Sequence, residues 1–238
     1  MLDRILVCIG GGEIKSKTTL KIDEYISNVV KSRTNGRRPM GLFIGTASHD
    51  SMPYFNSFRK TYTSHFDIKA DCALMVYGEM NFEKISDKIG RADLIYVGGG
   101  DTLFMLKKWR ELGIDKLIID AYKKGTVLCG LSAGAICWFK TMFTDSQLLC
   151  NGNQYNFYPG LGLINGACSP HYNLRADDLF NELSKNIVNS IYGIDDNAAL
   201  VFTNESLIGA ISCGGAAYEI KYFNGNCEKK SIPIINNA

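Results

Sequence analysis

Ser132 lies at the centre of Gly130–Gly134, a Gly-Leu-Ser-Ala-Gly pentapeptide whose spacing could present a nucleophilic hydroxyl group. The apolar run Thr126–Cys129 precedes it and the run Ala135–Phe139 follows it, which predicts a strand, a tight turn and a helix. In such a nucleophile elbow the serine Oγ stands beside free N–H groups of a helix N-terminus, which can stabilise an oxyanion. A strand-to-helix turn used only for close packing is the alternative interpretation.

A serine nucleophile needs a general base, and the chain has three histidines, His49, His65 and His171. We favour His171, because it follows a predicted strand and because Pro170 stiffens its approach. His49, in a polar loop near the predicted strand ends, is a weaker candidate. His65 falls late in a predicted helix, where a surface or cap role is usual.

The third residue needed is an acid that orients the imidazole and stabilises its cationic form. Asp195 and Asp196 follow His171 at a predicted turn, and Asp145 lies in the loop after the predicted elbow helix. Each would also suit a solvated turn or a helix cap, so the choice among the three stays open at this point. The strongest candidates follow the histidine, whereas in α/β-hydrolases the acid precedes it.

Two glycine runs, Gly10–Gly12 and Gly98–Gly100, end predicted strands. Neither continues as a dinucleotide-binding fingerprint, because Lys15 and Leu103 occupy the last glycine positions, so nucleotide binding is disfavoured. Close packing explains the first run. In the second run a glycine N–H would supply an oxyanion donor that partners the N–H of Ala133.

The elements that would position these residues alternate between strands and helices in the first two-thirds of the chain. Short apolar strands separated by helices predict an α/β fold with a doubly wound, mostly parallel sheet flanked by helices. The predicted strands are Ile5–Ile9, Gly41–Ile44, Ala73–Tyr77, Leu94–Val97 and Thr126–Cys129, and the predicted helices are Thr18–Val30, Pro53–His65, Phe82–Ile89, Thr102–Leu112 and Ile114–Lys123.

The last third predicts a helix over Leu179–Val188 and then an antiparallel meander. The turn signal Asn224-Gly225 predicts a C-terminal antiparallel hairpin. The strands expected in this meander are Ala198–Thr203, Leu207–Ser212, Tyr218–Phe223 and Cys227–Ile235. We expect a single α/β domain over residues 1–238.

Composition excludes several classes of function. A net charge of +2 with scattered basic residues gives no footprint for nucleic acid or for a membrane surface. The longest apolar stretch, Thr126–Phe139, is too short to span a membrane, and no signal peptide is recognisable. The eight cysteines form no Cys-x-x-Cys pair, which disfavours zinc. Several of them, such as Cys8, Cys129 and Cys137, lie in apolar runs, which favours a reduced, cytoplasmic location.

Three segments together, Gly98–Thr102, Gly130–Ala135 and Ser169–Asn173, resemble the peptidase E family of serine peptidases in their order and spacing. The family includes aspartyl dipeptidases and cyanophycinases. It is similar in fold to class I glutamine amidotransferases, in which a cysteine usually occupies the elbow. The resemblance extends roughly from Ile5 to Gly215.

The resemblance implies catalytic roles for several residues. Ser132 corresponds to the nucleophile, His171 to the base, and Gly100 and Ala133 to the oxyanion N–H donors. Asp196 stands where the family usually has a glutamate.

Two further residues correspond to substrate-binding positions. Arg175 is the nearest match to an arginine that pairs with a substrate aspartyl carboxylate, a task that suits a guanidinium. A surface helix arginine near Asp177 and Asp178 is the alternative. Asp101 stands where the family often has asparagine, and a carboxylate there must point away from the oxyanion or pair with a cation.

The sequence therefore predicts a cytoplasmic serine exopeptidase for dipeptides or short peptides, including ones with an N-terminal aspartate. It would work through an acyl-enzyme, need no metal or organic cofactor, and have a peptide as its partner; a homodimer is compatible with the resemblance. The alternatives are another serine acyl hydrolase, such as an esterase or amidase, and a non-catalytic metabolite-binding protein.

Overall fold

The computed structural model describes residues 2–77, 80–146, 154–185, 187–223 and 226–235, which form two β-sheets with flanking helices. The strands are β1 (Ile5–Ile9), β2 (Met40–Ile44), β3 (Lys69–Ala73), β4 (Leu94–Val97), β5 (Val127–Leu131), β6 (Phe139–Thr144), β7 (Asn156–Pro159), β8 (Ile164–Ser169), β9 (Ser190–Ile194), β10 (Ala198–Thr203), β11 (Ser206–Ser212), β12 (Ala217–Phe223) and β13 (Asn226–Ser231). The helices are α1 (Leu20–Lys31), α2 (Met52–Phe66), α3 (Phe82–Arg91), α4 (Thr102–Leu112), α5 (Ile114–Lys123), α6 (Ala133–Ile136) and α7 (Tyr172–Leu183), with a 3₁₀ turn at Thr46–Ser48.

The first sheet has the strand order β11-β10-β1-β5-β4-β2-β3. Strands β1 to β5 pair in parallel, and β10 and β11 add an antiparallel edge. Side chains of β1 alternate between two cores: Leu6 and Cys8 pack with α3, α4 and α5, while Val7 and Ile9 pack with α1 and α2. Burial on both faces explains why the strands read as unbroken apolar runs.

The second sheet has the order β13-β12-β9-β8-β6-β7. One of its apolar clusters includes Phe143, Ile191 and Ile220 from strands and Leu179 from α7. Helix α7 therefore packs on this sheet, and the residues of β13 are exposed at its edge.

The chain crosses between the two sheets at three places: after β5, between β9 and β10, and between β11 and β12. The first crossing runs through the segment around Ser132, and the second consists of residues 195–197. Candidate residues from distant parts of the sequence therefore meet along the seam between the sheets.

The predicted fold class is confirmed: a mostly parallel sheet flanked by helices, with an antiparallel C-terminal hairpin formed by β12 and β13. The hairpin turn predicted at Asn224-Gly225 lies outside the described residues. In the described part of the chain, no helix is long and apolar enough to cross a membrane.

The third strand was predicted at Ala73–Tyr77 but is formed by Lys69–Ala73, so that prediction is wrong by four positions. The cause is Asp50, whose carboxylate accepts hydrogen bonds from the backbone N–H groups of Met75, Val76 and Tyr77 at 2.6, 2.5 and 3.3 Å. These three N–H groups donate to a side chain and not to a neighbouring strand. The apolar run after Ala73 therefore leaves the sheet.

Other expectations need smaller corrections. The elbow helix was expected to run on to Phe139, but it ends at Ile136, and Phe139 begins a strand of the second sheet. The helix predicted at Leu179–Val188 is α7, which begins directly after His171. The expected meander is divided, since β10 and β11 join the first sheet while β12 and β13 join the second.

Candidate active site

Ser132 occupies a strained turn between β5 and α6, with φ 53° and ψ −108°. This conformation is costly for a residue with a side chain and persists where the surroundings impose it. The glycines on either side permit it: a Cβ at Gly130 would collide with the backbone of Gly134, and a Cβ at Gly134 would collide with the carbonyl of Val97. The turn is therefore closely packed through its glycines, and the same packing fixes the position of Ser132.

The side chains of Ser132, His171 and Asp196 form a continuous chain of hydrogen bonds. His171 Nδ1 and Asp196 Oδ1 are 2.5 Å apart, and His171 Nε2 and Ser132 Oγ are 2.8 Å apart. An ionised carboxylate only accepts, so Nδ1–H donates to Asp196, which leaves Nε2 to accept from the serine hydroxyl. The imidazole and carboxylate are 23% and 27% exposed, so solvent and substrate can reach them.

Three consecutive backbone carbonyl groups at the end of β1 accept hydrogen bonds from the three segments that carry these side chains. Ile9 O accepts from Ser132 N at 2.9 Å, Gly10 O from His171 N at 3.1 Å, and Gly11 O from Asn197 N at 3.0 Å. We name this run of acceptors, residues 9–11, the β1 template. Its backbone hydrogen bonds place residues from both sheets at defined positions around one strand end.

Gly11 also lies directly against the side chains of the site. A Cβ at this position would collide with the carboxylate of Asp196 and the imidazole of His171. The first glycine run is therefore a packing feature, as the sequence suggested, and its packing partners are the candidate catalytic groups.

Asn173, in the first turn of α7, links the histidine segment to the acid segment. Its Oδ1 accepts a hydrogen bond from the backbone N–H of Asp196 at 2.9 Å. The sequence contained this residue in the Ser169–Asn173 motif, but no role was assigned to it there. Its position two residues after His171 is the signal that could have revealed the role.

The candidate oxyanion donors come from two segments near Ser132: Ala133 directly follows it, and Gly100 lines the same pocket. Ala133 begins α6, and Gly100 ends the glycine run after β4 with φ 137°, a conformation in which a Cβ would collide with the carbonyl of Ala47. Within the described residues, no acceptor takes the backbone N–H of Gly100 or Ala133. Tyr54 OH accepts the neighbouring N–H of Gly99 at 3.3 Å and supports this loop.

The other candidate acids have different partners. Asp145 Oδ2 accepts from Arg175 at 2.8 Å, and Asp195 Oδ2 accepts from Ala216 N at 3.2 Å. Burial raises the pKa of Asp195, an effect that the Ala216 N–H partly offsets. In the described part of the chain, neither acid hydrogen-bonds to His171.

Arg175 is a buried residue of α7 and not the surface arginine of the alternative interpretation. Its guanidinium pairs with Asp145 and lies over the ring of Tyr155, 5.1 Å from the ring centre. Its Nη1 is buried without a hydrogen-bond partner among the described residues.

Asp101 caps α4, where its carboxylate accepts from the backbone N–H of Phe104 at 3.0 Å.

Within the described residues, neither of the two remaining histidines hydrogen-bonds to Ser132. His49 is exposed, with its ring 4.2 Å from that of Phe104. His65 is exposed near the end of α2, on the wall of the pocket described next.

A pocket of about 740 Å³ opens onto Ser132 and His171. The loop after β1, residues 12–17, forms one wall, and the exposed face of α2 forms another. Gly99 and Gly100 also line the pocket, and a Cβ at Gly99 would lie 3.3 Å from the Cβ of Ser132. The volume is in the range of small-molecule sites, so the pocket can hold a short substrate against the serine.

The chain is similar to known peptidases along most of its length. The model of peptidase family S51 matches residues 6–209. The uncharacterized peptidase YgaJ of Bacillus subtilis (strain 168) is 32% identical over 239 residues, covering 98% of this chain and 97% of that protein. Peptidase E of Salmonella arizonae is 33% identical over 87 residues, covering 36% of this chain and 37% of that protein.

The likeness extends to a solved structure. The crystal structure of a peptidase from an acI-B1 Actinobacterium superposes with a TM-score of 0.70 at 18% identity, covering 97% of each chain, which shows a shared fold. Since the family model covers most of the chain and YgaJ aligns along nearly its whole length, the chain belongs to peptidase family S51 and is a serine-type peptidase of the peptidase E family.

Proposed function

We propose that this peptidase is an exopeptidase that hydrolyses dipeptides or short peptides with Ser132 as nucleophile, His171 as base and Asp196 as orienting acid. The observation that carries the proposal is the hydrogen-bonded chain from Ser132 Oγ through the imidazole to Asp196, at 2.8 and 2.5 Å. Nucleophile and base within hydrogen-bond reach, with the base oriented by a third group, is the arrangement that activates a serine.

In the first half of the reaction, His171 Nε2 takes the serine proton as Ser132 Oγ attacks the peptide carbonyl carbon. The carbonyl oxygen gains the negative charge, and the N–H groups of Gly100 and Ala133 stabilise it. Asp196 holds the imidazole in the tautomer that can accept and stabilises the imidazolium that forms.

In the second half, the imidazolium donates its proton to the leaving nitrogen, the C–N bond breaks, and the acyl group stays on Ser132. Water then attacks the acyl-enzyme with His171 as base, which releases the acid and regenerates the serine. Each of these steps uses groups of this chain together with water.

Specificity for an N-terminal aspartate would involve Arg175. Its pairing with Asp145 means that a substrate carboxylate would share the guanidinium with that acid or use the unpartnered Nη1. The aspartyl preference is therefore a separate outcome of the same experiment.

The test is hydrolysis of a panel of free dipeptides, half of them with N-terminal Asp, by wild type and Ser132→Ala. We expect Ser132→Ala to lower kcat/KM by about 10⁴-fold or more while the far-ultraviolet circular dichroism is unchanged. Activity retained by Ser132→Ala would overturn the mechanism. Cleavage of small esters but of no dipeptide would favour the alternative acyl hydrolase. Cleavage limited to Asp-x peptides would establish an aspartyl preference and make Arg175 the candidate specificity residue.

A further inference from the structure

The pocket in front of Ser132 carries a marked excess of positive charge. Lys15, Lys17 and Lys60 line it, and Glu13 is the one carboxylate among its described lining residues. No ion pair involves any of the three lysines within the described residues. A substrate-sized pocket lined by cations without protein partners fits a ligand with a negative charge.

Lys15 and Lys17 lie on an ordered turn that follows β1. Ile14, the residue before Lys15, is buried, and its carbonyl oxygen accepts a hydrogen bond from Lys17 N at 3.1 Å. Glu13 closes the same turn, since its backbone N–H donates to Thr18 Oγ1 at 2.9 Å and its Oε1 accepts from Lys15 N at 3.1 Å. The backbone positions of Lys15 and Lys17 are thus set by local hydrogen bonds and one apolar anchor.

This turn begins directly after residues that contact His171, the group that would protonate the leaving nitrogen. It follows Gly11, which packs against the imidazole, and His171 N donates to Gly10 O. In the proposed mechanism the imidazole protonates the leaving nitrogen, so the amino acid released as the amine starts next to His171, in the pocket that the turn also lines. In a dipeptide that amino acid carries a free carboxylate, whose carbon is two covalent bonds from the scissile nitrogen.

We propose that Lys15 and Lys17 bind the free C-terminal carboxylate of the leaving residue and so direct cleavage to the last peptide bond of a short substrate. This inference rests on the proposed function of the same site. Each further residue beyond the scissile bond would carry the carboxylate about 3.5 Å farther away along an extended chain. The ammonium groups therefore select for length as well as charge.

The experiment compares one dipeptide that wild type cleaves, as the free acid, with its C-terminal amide. Wild type is expected to show a kcat/KM for the acid that is about 10- to 100-fold higher, the range for hydrogen bonds to a charged group. In the double variant Lys15→Gln/Lys17→Gln this ratio should fall towards one, and in Lys15→Arg/Lys17→Arg it should persist. The matched control, Lys21→Gln/Lys31→Gln, changes two exposed lysines of α1 outside the pocket and should keep the wild-type ratio.

Calorimetric binding of the acid and the amide to Ser132→Ala separates this inference from the proposed function. Selective binding of the acid that is lost in the triple variant Ser132→Ala/Lys15→Gln/Lys17→Gln supports the inference, whether or not wild type cleaves the peptide. The inference is overturned if the free acid and the amide have equal kcat/KM with wild type or bind with equal affinity. A preference for the acid that survives loss of both lysines overturns their assignment. Selective binding without any cleavage by wild type would count against the proposed function alone.

Discussion

The two sheets contribute different parts of the candidate site. The first sheet supplies Ser132, the loop with Gly100 and the β1 template, whereas the second supplies His171 from the end of β8. Asp196 belongs to neither sheet and lies in the short segment that joins β9 to β10. The geometry of the candidate triad therefore depends on how the sheets meet, and the backbone at the end of β1 sets how they meet.

The sharpest test of this division concerns the two neighbouring acids of the crossing segment. We expect Asp196→Asn to lower kcat by about 10⁴-fold, because an amide would favour the wrong imidazole tautomer. Asp195→Asn is the matched control, since Asp195 accepts from Ala216 N and an amide oxygen still accepts that bond. Steady-state kinetics of both variants decide the matter, and a larger loss in Asp195→Asn would reverse the assignment of the acid.

A second test breaks the contact between the sheets without removing any functional group. In Gly11→Ala the added methyl group would collide with His171 and Asp196, and the displaced imidazole should lower kcat by about 10²-fold or more. Gly90→Ala in α3 is the control, because nothing lies within 4 Å of a Cβ at that position. Kinetics and thermal unfolding should be measured together. Wild-type kcat in a folded Gly11→Ala protein would argue against the contact.

A third test weakens the link between the histidine segment and the acid segment. Asn173→Ala removes the acceptor for the Asp196 N–H and should lower kcat by about 2- to 10-fold with little change in KM, the size of one hydrogen bond. Asn181→Ala, an exposed change on the same helix, should leave kcat as in wild type. Asn173→Asp keeps an acceptor and should restore most of kcat; failure of this rescue would point to a different role.

The smallest effect on activity is expected from a substitution at Asp23, a buried residue of α1, which packs only on the first sheet. Burial raises the pKa of Asp23 to about 6, even though Tyr62 OH and Thr19 OH donate to its carboxylate at 2.8 and 2.9 Å. The folded-state pKa is raised, so the stability from this group is fully present below the ordinary value of 3.8 and is lost as pH rises through about 6.

For Asp23 the expected loss is about 3 kcal/mol of unfolding free energy between about pH 4 and pH 8. Asp23→Asn should remove this part of the pH dependence and leave kcat unchanged. Urea unfolding of both proteins across that pH range measures it. An unchanged slope in the variant would show that Asp23 does not titrate in this window.

The sequence was most informative where a local rule determined the structure. The glycines around Ser132 predict the strained turn because spacing alone defines it, and unbroken apolar runs predict strands buried on both faces. The choice between Asp195 and Asp196 could not be made, because adjacent residues of one turn have the same local signals. It depends on a long-range contact, the bond from Asp195 N to Ala216 O, which continues the pairing of β9 with β12.

The division into two sheets was missed for a related reason. Two strands of the second sheet that the sequence did not predict, β7 and β9, contain asparagine, proline or glycine, and they are only partly buried. Such segments lack the periodicity that marks a strand and are stabilised by their neighbours. The lysine-lined pocket could not be predicted from the sequence either, since its two walls come from segments about 40 residues apart in the chain.

The β1 template has a consequence for how the site comes apart. Its three acceptors are consecutive backbone carbonyls, so any local opening of this strand end releases the amides of Ser132, His171 and Asn197 in a single event. In hydrogen–deuterium exchange these three amides should therefore share one protection factor, although they are distant in the chain. The peptidase would then lose its site as a unit before it unfolds, and heat inactivation would precede the loss of secondary structure.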